Sequence, residues 1–144
     1  MGRRRLVALS LLAATALLAG ACGGGEKANS VDATLADFTI TLGSTSAKAG
    51  EVTFKIKNNG PSVHEFVVFQ TDLAPDALPT IEENGIPIVD EEGEGITAVD
   101  EVEDIAVNAT PELKVTLAAG AYVVICNVPA HYQQGMHTAF TVTS

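Results

Sequence analysis

The sequence predicts an all-β fold, a Greek-key β-sandwich or barrel, and three observations carry that prediction. Apolar and polar residues alternate with a period of two in several short runs, the spacing of strands with one buried face. Clusters of Gly, Pro, Asn and Ser separate those runs as turns. Val, Thr, Ile and Ala dominate the second half and nothing there marks a long helix, a composition that favours strands. At 144 residues there is room for one such domain, with a core large enough to fold without disulfides.

The chain begins with a targeting pattern. Arg3-Arg4-Arg5 precedes the apolar run Leu6–Ala19, which is short for a span that needs about 20 residues and reads instead as a signal peptide over 1–21. The stretch Leu18-Ala19-Gly20-Ala21-Cys22 resembles the lipobox of bacterial lipoproteins, with Ala19 where Leu is usual. That resemblance implies cleavage before Cys22 and its lipid modification, with enough acyl chains for stable anchoring. The protein is then exported and lipid-anchored at the outer face of the cell membrane or in the periplasm. Residues 22–32, opening on Gly23-Gly24-Gly25, form the tether, and 33–144 form the folded domain. The arginine run is also faintly similar to a twin-arginine signal, and the export route stays open.

Strands follow in order. Thr34–Leu42 alternates as one strand, with Ala36, Phe38, Ile40 and Leu42 on one face. Gly43–Ser46 is a turn. Glu51–Lys57 alternates again, with Val52, Phe54 and Ile56 inward, and Asn58-Asn59-Gly60-Pro61-Ser62 ends it. Val63–Gln70 is a third strand in which His64 shares a face with Phe66 and Val68, so it points inward near the rim. From Thr71 to Asp104 periodicity fades, Pro75, Pro79 and Pro87 interrupt, and the reading is a solvated loop excursion with a helical turn. A short, poorly patterned strand lies within Val99–Val107. Leu113–Leu117 alternates cleanly, Tyr122–Val128 is apolar throughout as suits a strand buried on both faces, and Thr138–Thr143 closes the chain.

Charge narrows the function classes. Eight Lys and Arg face 18 Asp and Glu, and removal of Arg3, Arg4 and Arg5 would leave five basic residues. Nucleic-acid binding is excluded on that balance, because phosphates demand Lys and Arg. Basic protein partners fit it through electrostatic steering. No Lys or Arg occurs between Lys57 and Lys114, and Asp90-Glu91-Glu92-Gly93-Glu94-Gly95 lacks the ligand spacing of a calcium-binding EF-hand loop.

The chemistry gathers in Cys126-Asn127-Val128-Pro129-Ala130-His131-Tyr132-Gln133-Gln134-Gly135-Met136. A thiolate, an imidazole and a thioether stand in one short loop, spaced Cys-x4-His-x4-Met, with the inward His64 upstream. Copper(II) prefers nitrogen donors and copper(I) sulfur, so two imidazoles and a thiolate in a plane beneath a weak axial thioether suit both states. His64, Cys126 and His131 are the candidates for that plane. Met136, the only methionine besides Met1, is the candidate axis, because alternation back from Val142 and Phe140 turns it inward and His137 outward. Cys22 has its own role as lipid anchor, which leaves Cys126 free as a thiolate.

These residues, with Asn58-Asn59-Gly60-Pro61-Ser62-Val63-His64-Glu65-Phe66, resemble the cupredoxin family, in particular its plastocyanin- and azurin-like members and the sulfocyanin and rusticyanin branch. With the strands between, the resemblance covers residues 33–144. It implies an eight-stranded Greek-key barrel or sandwich with one type 1 copper at one end, an electron carrier and not an enzyme, whose partners are redox proteins such as membrane-bound respiratory or oxidase components. It implies further that His131 is the electron portal within an apolar patch, for which Pro129, Ala130, Tyr132 and Met136 are candidates. Where an Asn often follows the upstream His and braces the thiolate loop, this chain has Glu65, so Asn127 or Asn59 is expected to brace it.

Three rivals weigh less. A buried structural Cys with incidental histidines does not account for the order and spacing. A cysteine hydrolase would need a spatially distant His base and an oxyanion-type motif, and neither is visible. A complete copper oxidase would need further His pairs beyond His64, His131 and His137. Storage or delivery of copper to an extracytoplasmic oxidase is the alternative within copper chemistry, and the single loop methionine argues against it.

Overall fold

Alternation in the first strand-like run reverses at Asp37-Phe38, and this decides how the sandwich opens. The computed structural model describes residues 29–144. Strand β1 (Ser30–Ala36) turns through Asp37-Phe38 into the antiparallel β2 (Thr39–Leu42), with Leu35 opposite Ile40. The single strand expected over 34–42 is therefore a hairpin. Its inward residues are Val31, Ala33 and Leu35, then Ile40 and Leu42, because residues paired across a strand share a face. The sheet begins at Ser30, within the segment read as tether. The signal peptide, the lipobox and Cys22 lie outside the described residues.

The remaining strands are β3 (Ser46–Lys48), β4 (Gly50–Asn58), β5 (His64–Gln70), β6 (Thr80–Glu83), β7 (Ile86–Val89), β8 (Thr97–Ile105), β9 (Glu112–Leu117), β10 (Gly120–Ile125) and β11 (His137–Thr143). One sheet runs β2-β1-β4-β9 and the other β3-β11-β10-β5-β8, with β6 and β7 forming a separate hairpin. Two pairings, β1 with β4 and β11 with β3, are parallel. The main core lies between the two sheets, where Phe54 meets Phe66 and Phe140 at centroid separations of 5.2 and 5.3 Å. Tilted and edge-on pairs of this kind add about 0.5–1.5 kcal/mol each beyond the area they bury.

The stretch expected to be a solvated loop contains β6 and β7 and most of β8. Asn84 and Gly85 take φ of 51° and 79°, the two positive values that a two-residue hairpin turn requires and that Asn-Gly supplies most readily. The far face of the second sheet packs against this excursion. Val67, Phe69, Val123 and Ile125 form a second core with Leu78, Val89 and Tyr132. Strand β10 is thus buried on both faces, as its apolar run predicts, and residues 72–96 supply the cover. Strand β8 closes the sheet edge with Asp100, Glu101, Glu103 and Asp104 exposed, charges that discourage edge-to-edge pairing.

Candidate metal centre

Cys126 follows β10 directly, and its side chain is wholly buried. Its N–H donates to the carbonyl of Met136 at 3.0 Å, so the β10–β11 ladder closes the 126–136 loop at its base. Inside the loop the His131 N–H bonds to Val128 O at 2.9 Å, and the Met136 N–H bonds to His131 O at 3.1 Å. Tyr132–Gln134 makes one 3-10 turn that ends at Gly135, φ 103°, a backbone state that a side chain would strain.

The loop is also clamped from outside. Asn127 accepts the Val89 N–H at 2.8 Å and donates to Val89 O at 3.2 Å and to Glu91 Oε1 at 2.8 Å. The Tyr132 hydroxyl accepts the Leu78 N–H at 2.9 Å and donates to Pro75 O at 2.8 Å. The Ala130 N–H reaches Pro87 O at 3.3 Å. Carboxylate-rich as it is, the excursion therefore serves as the outer wall of the Cys126–Met136 loop.

Three donors converge there. His64, Cys126 and His131 form the one group of three or more His, Cys or carboxylate donors close enough to share a metal ion among the described residues. The two Nδ1 atoms are 3.3 Å apart, and Cys126 Sγ lies 3.8 Å from that of His64 and 3.5 Å from that of His131. The circle through these three atoms has a radius of about 2.1 Å, which matches the roughly 2.0–2.3 Å of nitrogen and thiolate bonds to a first-row metal such as zinc. Met136 is fully buried and belongs to the same core as Cys126. His137 lies outside the group, its ring 5.1 Å from that of Tyr132.

Protonation suits ligation by the imidazoles and opposes it at sulfur until a metal arrives. Burial, and then the neighbouring His131, draw the His64 pKa down, with Asp37 pulling the other way. Burial likewise lowers that of His131. Burial pushes the Cys126 thiol up to about 11 even though backbone N–H groups of Glu65 and Val128 favour the thiolate. A metal ion has to displace that proton, so binding releases it.

The surroundings match expectation only in part. Of the two residues expected to brace the loop, Asn127 does so through Val89 and Glu91, and the sulfur itself receives the backbone N–H of Glu65 at 3.3 Å, which needs no particular side chain at that position. The buried brace is Asn58, donating to Ser62 O and Ile105 O, each at 2.8 Å, and accepting the Gly60 N–H at 2.7 Å. Tyr132 and Met136, 5% and 0% exposed, cannot build a surface patch around His131, since both turn into cores. Two further residues adjoin the donors. Asp37 Oδ1 lies 3.2 Å from His64 Nε2, and Phe38 stands edge-on to the His131 ring with centroids 5.3 Å apart. Neither was visible in the sequence, because the turn they form contains no Gly, Pro or Asn.

Solved structures share this fold. A dithionite-reduced auracyanin from Roseiflexus castenholzii superposes with a TM-score of 0.52 at 19% identity, over 81% of this chain and 98% of that one. Rusticyanin from Thiobacillus ferrooxidans gives 0.54 at 16% identity, over 80% of this chain and 78% of that one. The fold is the cupredoxin fold. A multi-copper oxidase from Pediococcus acidilactici also matches, with a TM-score of 0.52 at 18% identity, and there the chain spans only 31% of the enzyme's length. No protein-family model and no curated protein matches the chain by sequence. Where the cupredoxin resemblance implied eight strands, the two sheets here hold four and five, with a two-stranded hairpin added.

Proposed function

We propose that the chain is an extracytoplasmic electron carrier with one type 1 copper ion cycling between Cu(I) and Cu(II). The observation that carries this reading is the triangle of His64 Nδ1, Cys126 Sγ and His131 Nδ1, sized for bonds to a metal at its centre. In this reading His64, Cys126 and His131 form the plane and Met136 the weak axial contact. The bound ion would supply one-electron chemistry. The chain's own part is rigidity: Cys126 and Met136 are tied by their backbones, and Asn127 and Tyr132 tie the loop to the 72–96 excursion. Donors held in this way move little between oxidation states, which keeps the cost of electron transfer low.

With His64 and His131 at this site, only His137 is left, too few for the additional histidine pairs of an oxidase's other copper sites, so the reading is a carrier and not an enzyme. The signal-peptide pattern and the lipobox-like Cys22 support a location outside the cytoplasm on a lipid anchor, and in this reading the partners are redox proteins. Copper(II) added to the metal-free soluble domain is expected to give an intense blue colour from thiolate-to-copper charge transfer, with the narrow copper hyperfine splitting of a type 1 site. A colourless or weakly coloured complex would sink the assignment.

A further inference from the structure

The chain carries a carboxylate at a place where the donor set alone does not call for one. His64 is completely buried, with Nδ1 toward the sulfur and Nε2 toward Asp37 Oδ1 at 3.2 Å. The pair is close but not aligned as a hydrogen bond, and neither of these two buried atoms has another partner. Two orphaned polar atoms this near one another need only a small ring or carboxylate rotation to satisfy both. The other carboxylate oxygen, Oδ2, is already held by the Ser62 hydroxyl at 3.0 Å, so Asp37 is oriented before any ligand arrives. Among the described residues no Lys or Arg forms an ion pair with it, and its charge faces His64 uncompensated.

The backbone reinforces this placement. Asp37 sits in the two-residue turn between β1 and β2, and the next residue, Phe38, adopts φ 56°, an uncommon state for a bulky residue. The turn delivers Asp37 to one imidazole and the Phe38 ring to the other.

We infer that Asp37 is a positioning residue: it accepts the Nε2–H of His64, fixes Nδ1 as the metal-facing nitrogen, and lowers the reduction potential of the site. A carboxylate behind a ligating imidazole selects the tautomer and makes the ring a stronger donor. An uncompensated negative charge also favours the more highly charged ion, and copper(II) gains more than copper(I). The second part of the inference rests on the copper reading above, and the first part does not.

The experiment uses the soluble domain with and without copper, comparing wild type with Asp37→Asn, which keeps the shape and removes the charge. In the metal-free protein, nitrogen-15 spectra of the histidine rings are expected to show His64 protonated at Nε2, with that proton shifted upfield in Asp37→Asn. In the copper-loaded protein, Asp37→Asn is expected to keep the blue spectrum and to lower the ratio of copper(II) to copper(I) affinity about tenfold, at the low end for partners of ligating histidines. For one electron that is a rise of 59 mV. A wild-type His64 protonated at Nδ1, or an unmoved potential in a variant with an intact blue spectrum, would overturn the inference. If wild type fails to turn blue, the copper reading falls while the tautomer still decides what Asp37 does to His64. Asp37→Ser serves if Asp37→Asn does not fold, with the same direction expected.

Discussion

The backbone N–H of Glu65 lies 3.3 Å from the sulfur of Cys126, so the strand that carries one imidazole also touches the thiol. A donor aimed at sulfur favours the thiolate, and burial opposes it more strongly, since the thiol is pushed up to about 11. The sulfur thus stays protected as a thiol in the metal-free protein and waits on a metal to ionise. Cys126→Ser is expected to abolish the blue colour while the far-ultraviolet circular dichroism keeps its strand signature. Loss of the fold would mean that Cys126 is mainly a core residue.

Met136 is sealed in the main core beside Cys126. Met136→Leu conserves volume and is expected to cost less than about 1.5 kcal/mol of stability. The site should remain blue, and its reduction potential should rise because copper(II) loses a donor. Voltammetry that finds no shift would remove Met136 from the axial position.

Tyr132 joins the loop to the excursion through Leu78 and Pro75. Tyr132→Phe strips the acceptor from the buried Leu78 N–H, at an expected cost of about 1–3 kcal/mol in urea unfolding. Copper-loaded protein should stay blue, with a broader spectrum if the loop loosens. A stability unchanged from wild type would show that the clamp carries no strain-bearing load.

Acidic crowding at the β8 edge gives a pH dependence. Burial first, then Glu91, Glu103 and Asp100, raise the pKa of Glu101. A carboxyl that holds its proton more tightly folded than unfolded contributes its full stability below the unfolded pKa and loses it as pH rises through the folded value. Glu101→Gln should therefore raise the melting temperature at pH 8 and leave it nearly unchanged at pH 4. Added salt should shrink the difference by screening the repulsion. An equal effect at both pH values would assign the gain to packing instead.

The lipobox reading has its own check. Full-length protein expressed in a bacterium is expected in the membrane fraction, and Cys22→Ser should release it to the soluble extracytoplasmic fraction. A wild-type protein that is already soluble there would favour ordinary signal cleavage without a lipid.

Local order along the chain reveals some features and hides others. Alternation in Glu51–Lys57 and Leu113–Leu117 showed which residues enter the core, because strand geometry turns neighbours to opposite faces whatever lies across the sandwich. The same rule failed at Thr34–Leu42, where Asp37-Phe38 reverses the chain without a Gly, Pro or Asn and moves the inward set from odd to even positions. Asn84-Gly85 did carry a hairpin signal, which the surrounding acids and prolines obscured.

By itself the sequence singled out the candidate donors: one thiol, two imidazoles and one thioether, with His64 inward by parity and the other three in a short loop. Those are properties of residue type and spacing. Only the tertiary structure decided that Asp37 stands behind His64, that Glu65 reaches the sulfur through its backbone, and that the acidic excursion is a clamp. Each of these joins segments far apart in the chain, through sheet pairing and packing, and residue spacing holds no record of such contacts.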